Sequence, residues 1–81
     1  MSNLTGEDSR ILDKLYADID RDATIPEDRK QPEKWYYYGY RFGLRGCDWA
    51  RAIVRTHHRD DANRIAFEQG YIDGHGDLQN R

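Results

Sequence analysis

Cysteine is almost missing from this chain, with Cys47 standing alone. A lone thiol closes no internal disulfide, which excludes a stapled secreted scaffold and points to a reducing compartment. Proline occurs only at Pro26 and Pro32, and both fall around a connector rather than inside a periodic stretch. No apolar run approaches the roughly 18 residues of a membrane span, so no membrane partner is expected. The N-terminal residues carry no apolar run either, so no signal peptide is expected and a cytoplasmic protein is the default. Lysine vanishes after Lys34: all seven bases from residue 35 onward are arginine. There is no hairpin signal and no phosphate-binding loop.

Against these absences stand six tyrosines, two tryptophans and two phenylalanines in 81 residues. Tyrosine and tryptophan bury large areas while keeping a polar handle, which suits one small domain with a thin core. The charge is uneven. Residues 1–34 hold nine acids and six bases, whereas residues 35–81 hold six acids and seven bases. The most informative pattern is a repeat, Gly39-Tyr40-Arg41-Phe42-Gly43 and Gly70-Tyr71-Ile72-Asp73-Gly74. Each copy has an aromatic three residues before its first glycine, Tyr36 and Phe67.

Periodicity predicts an all-α fold, a small bundle of three to four short helices in a single domain over 1–81. An amphipathic helix spans 6–21, with Thr5 and Asp8 forming a variant capping box and Ile11, Leu12, Leu15, Tyr16 and Ile19 on one face. Residues 22–31 form a connector. The segment 32–74 is a glycine-rich helical core. Pro32 opens its first helix and Gly46 stops it. Asp48 is the expected cap of a helix from Trp49 to Arg59, and Asp60 or Asp61 the cap of one from Ala62 to Asp73. Residues 75–81 read as a frayed tail.

Interior glycines each cost about 0.5–1 kcal/mol relative to alanine, so close packing must offset them. Gly39 and Gly43 on one helix, and Gly70 and Gly74 on another, are therefore the expected structural residues of a helix crossing, with Ala62 and Ala66 extending the second strip. The open alternative is a groove that admits the backbone of a partner.

Three functional readings compete. Arg41, Arg45, Arg51, Arg55 and Arg59 recur at helical spacing and can join into one basic strip bordered by Tyr37 and Tyr40. Arginine beside aromatics suits RNA, where phosphates meet guanidinium groups and unstacked bases meet rings. The bland counterpart is a solvated charged face. Second, the acidic first helix, with Glu7, Asp8, Asp13 and Asp18, can dock on a basic host protein, as inhibitors and anti-defence proteins encoded by phages do. Third, the glycine grooves can pair two copies into a homodimer. An enzyme is not expected, because Cys47 has no oriented base beside it. Nor is a metal or other cofactor expected: Cys47, His57, His58 and His75 match no ligand spacing. His57 is expected at the core edge and His58 in solvent.

The run Gly39-Tyr40-Arg41-Phe42-Gly43-Leu44-Arg45-Gly46-Cys47, with Phe67, Gly70 and Tyr71 following, resembles the ribosome modulation factor family. The resemblance covers about half the chain, Tyr36 to Gly74. It implies a small helical protein that binds the ribosome near the messenger-binding region and silences translation. It also implies that Tyr40, Arg41, Arg45 and the arginines Arg51, Arg55 and Arg59 face RNA. The chain departs from that family in its slight acidity, in Asp48 where proline follows the cysteine, and in its added first helix.

Overall fold

A computed structural model describes residues 6–80, and the side chains of Glu7, Asp8 and Glu27 are outside that description. Among these residues four α-helices occur in the order α1 Gly6–Asp22, α2 Pro32–Arg45, α3 Asp48–His57 and α4 Asp61–Gln79, with a 3-10 turn at Glu27–Arg29. No strand occurs among the described residues, so the all-α expectation holds. The expected capping box at Thr5 and Asp8 lies outside the described residues.

Local signals set α2 well. Pro32 occupies its first turn, and Gly46 ends it at φ 65°, the left-handed conformation that only glycine adopts without strain. Asp60 caps α4 by accepting from the Asn63 backbone N–H at 3.0 Å. Three expectations are corrected. Asp48 does not cap α3: Cys47 takes that position with no side-chain bond, and the Asp48 carboxylate instead accepts from the Tyr71 hydroxyl at 2.5 Å. α3 stops at His57 rather than Arg59, because the chain turns extended at His58. The tail after Gly74 is not frayed but helical to Gln79, where the Asp77 carboxylate takes the Tyr40 hydroxyl of α2.

The glycine crossing is real and internal. A methyl group added at Gly39 would collide with the Phe67 carbonyl oxygen, and one at Gly70 with the Tyr36 carbonyl oxygen. Gly43 and Gly74 stand in the same relation to the carbonyls of Tyr71 and Tyr40. The partners advance together along both helices, so α2 and α4 run parallel, and α3 is the return segment that makes this possible. Carbonyls set against glycine Cα hydrogens give Cα–H···O contacts, worth about 0.5–1 kcal/mol each. That return is comparable with the helix-propensity cost of the glycines. Tyr36 to Asp73 and Tyr40 to Asp77 add a hydroxyl–carboxylate ladder along the rim of the crossing. Ala66 packs against the core, but Ala62 is exposed and Asn63 takes the inward position.

The core gathers Leu15 and Ile19 of α1, Trp35 and Phe42 of α2, Ala50 and Val54 of α3, and Phe67 and Tyr71 of α4. His58 joins it, against expectation. It is 2% exposed and meets the Trp35 ring edge-on at 4.5 Å, while His57 is the exposed one. The end of α3 explains the exchange, because the extended backbone at His58 aims its side chain inward.

Candidate nucleic-acid interface

α1 packs on the rest of the molecule quite differently from α4. Its backbone comes near α3 and stays off α2. Side chains bridge the remaining gap. Asp22, at the end of α1, accepts from the Trp35 indole N–H at 2.8 Å and from Lys34 at 3.0 Å. Burial alone would raise the Asp22 pKa, but the bonds from Lys34, Arg21 and Trp35 outweigh it and hold the carboxyl below its ordinary value. Asp18 is also buried, and pairs with Lys14 and Arg21, each at 2.8 Å.

Beyond these bridges the gap opens into a cleft of about 520 Å³ between α1 and α2. Ile11 and Phe42 give it apolar walls, and Tyr38 lies across its floor. The Tyr38 ring is stacked on Trp35 at 5.1 Å and on Phe42 at 5.4 Å, so its position is fixed. Burial first, and the Asp18 carboxylate second, push its phenol well above the ordinary value. Four cations line the cleft, Lys14, Lys34, Arg41 and Arg45, against one carboxylate, Asp18. Tyr37 stands at its mouth and is 64% exposed. Among the described residues Arg41 and Arg45 form no ion pair, and both are exposed.

The arginines expected to form one strip are divided. Arg41 and Arg45 face the cleft, whereas Arg51 and Arg55 turn to α4 and share the Glu68 carboxylate, Arg55 at 2.7 Å. The hydrogen bond from Arg51 does most to hold Glu68 below its ordinary pKa, with burial opposing and Arg55 assisting. Arg59 lines a separate hollow of about 310 Å³ with Tyr16, Asp20 and His57. Tyr40 borders neither group, because it lies along the glycine crossing with its hydroxyl on Asp77. Lys14 and Lys34 were not singled out by the sequence reading. Lys14 lies on α1, whereas Lys34 shares a face of α2 with Arg41 and Arg45, seven and eleven residues on, a helical spacing that could have found it.

The acidic face of α1 is likewise reduced. Asp13 is exposed, but Asp18 is 3% exposed and held in two ion pairs, so it presents no charge to a partner. The Glu7 and Asp8 side chains lie outside the described residues. No group of three or more His, Cys, Asp or Glu side chains among the described residues is arranged to hold a metal. No helix among them is long and apolar enough to cross a membrane. Comparison with protein families, with curated proteins and with solved structures finds no match.

Proposed function

We propose that this chain is a small non-enzymatic regulator that binds RNA, on the ribosome, and modulates translation. The observation that carries the reading is the α1–α2 cleft, where Arg41 and Arg45, unpaired among the described residues, stand beside aromatic and apolar walls with Tyr37 open at the mouth. Anionic charge and an aromatic face are what RNA offers together, and stacking plus guanidinium–phosphate contact is how proteins commonly take it. The resemblance to ribosome modulation factor over Tyr36 to Gly74 points the same way. Within it, Arg41 and Arg45 are the bases that reach the cleft. Arg51 and Arg55 share the single Glu68 carboxylate on α4 and do not line the cleft, so they contribute less than the resemblance alone implies.

Two other readings are weaker. An inhibitor acting through Glu7, Asp8, Asp13 and Asp18 loses Asp18 to internal ion pairs, although Asp13 stays exposed. Self-association through the glycine grooves would need free grooves, and these fill one another within one chain. The test of the favoured reading is co-sedimentation with ribosomes. The unaltered chain is expected in the ribosomal pellet at low salt, and in the supernatant once salt is raised. Replacing Arg41 and Arg45 together with glutamate is expected to release it. A chain that stays in the supernatant at low salt refutes the ribosome reading.

A further inference from the structure

We infer that the α1–α2 cleft receives one unstacked nucleotide of single-stranded RNA, its base on Tyr37 and its neighbouring phosphates on Arg41 and Arg45. This rests on the RNA-binding reading above and narrows it to a binding mode. The volume, about 520 Å³, lies within the roughly 300–1,000 Å³ of small-ligand sites, which admit a base but not a duplex.

The rings divide the labour. Tyr38 is covered by Trp35 and Phe42, so it forms floor and offers no free face for stacking. Tyr37 keeps 64% of its surface open and touches Tyr36 edge-on, at 5.6 Å and 83°. Tyr37 is therefore the ring a base can cover. The charges divide in the same way. Lys14 and Lys34 already hold Asp18 and Asp22, and so shape the rim rather than neutralise phosphate. Arg41 and Arg45 stand one helical turn apart, where two guanidinium groups can follow a strand. Two phosphates rather than four are thus neutralised, which sets the slope of log affinity against log salt at about −1.4 for a single strand. With a net charge of −2 the rest of the chain gives little non-specific attraction.

A duplex keeps its bases stacked and paired, so it cannot enter such a cleft. Fluorescence anisotropy with a 5′-labelled mixed-sequence oligoribonucleotide, free and annealed to its complement, tests this. The single strand is expected to bind at least about tenfold more tightly than the duplex, and Tyr37→Ala to weaken it by about tenfold or more. Tyr37→Leu keeps apolar bulk without a π-face and is expected to weaken binding similarly. Arg41→Gln with Arg45→Gln is expected to flatten the salt dependence. All four replacements fall on exposed positions, and circular dichroism checks that each variant remains helical. If the single strand binds but ignores Tyr37→Ala and Tyr37→Leu, or if the duplex binds equally well, the nucleotide mode is wrong while RNA binding stands. If the unaltered chain binds neither RNA, both readings fall together.

Discussion

α2 meets its two neighbours in opposite ways. Toward α4 it offers Gly39 and Gly43, and the backbones close until no Cβ fits between them. Toward α1 it offers Lys34, Tyr37, Tyr38 and Arg41, long side chains that hold the helices apart and leave a cleft. The first contact trades side chains for proximity and gives rigidity. The second trades proximity for a charged, partly open surface. One helix therefore serves fold and candidate function on separate faces. The glycines of the repeat belong to the fold, whereas Arg41 between them faces the cleft.

The largest expected effect breaks the tight side. Gly39→Leu or Gly70→Leu forces a side chain into a backbone carbonyl, which no rotamer relieves. The cost should reach or pass the upper end of the roughly 1–3 kcal/mol typical of overpacking, a large share of a small domain's stability. Thermal melting by circular dichroism should show the cooperative transition lost or shifted far down. A variant that melts like the parent would mean that the two backbones are not in contact.

A smaller loss is expected from the seam. Asp22→Ala leaves the buried Trp35 indole N–H without its acceptor, at a cost of about 1–3 kcal/mol. Asp22→Asn retains an acceptor oxygen and should cost less. Urea denaturation separates the two, and equal losses would show that the Trp35 bond contributes nothing.

The next effect is a pH dependence. Burial holds the His58 imidazole below its ordinary pKa, assisted by Arg64 and opposed by the Asp60 and Asp22 carboxylates. Its Nδ1 accepts from the Asp60 backbone N–H at 3.2 Å, so the proton of the neutral ring sits on Nε2. The folded state thus binds fewer protons at His58 than the unfolded chain. Its contribution is fully present above about pH 6.5 and is lost as pH falls from there through the folded pKa. Melting temperature should decline on that limb, and His58→Asn should flatten it. Asp22 and Asp60 are also held below their ordinary values, but their losses begin only near the usual carboxylate range, at lower pH. An unchanged slope in the His58 variant would assign the limb elsewhere.

The smallest effect belongs to the arginines that do not reach the cleft. Arg55→Ala removes an ion pair to Glu68 that is largely solvated, worth about 0–1 kcal/mol. It should change RNA affinity far less than the Arg41 and Arg45 replacements. A loss from Arg55→Ala comparable with that from the Arg41 and Arg45 replacements would restore the single basic strip.

The contrast between the two sides of α2 also marks how far the sequence could be read. Pro32 and Gly46 bound α2 through local chemistry, and the fourfold glycine spacing requires a close neighbour, so both were legible. The helical tail was not, because Gly74 and Gly76 argue against continuation and Asp77 is held by Tyr40 from another helix. His57 and His58 were exchanged for a similar reason. Helical phase places His57 inward, whereas the helix ends there and the next residue turns in. The cleft was only half visible. Arg41, Arg45 and Tyr37 read as one surface of α2, and Lys34 shares that face at helical spacing, but Lys14 joins them only once α1 has docked on Trp35 through Asp22.

Native-state hydrogen exchange measures the two contacts together. Amides of α2 and α4 around Gly39, Gly43, Gly70 and Gly74 are expected to exchange last, through global unfolding, while α1 exchanges earlier through opening of its side-chain seam. Equal protection of α1, or earlier exchange at the glycine crossing, would contradict a tight α2–α4 contact beside a looser α1 seam.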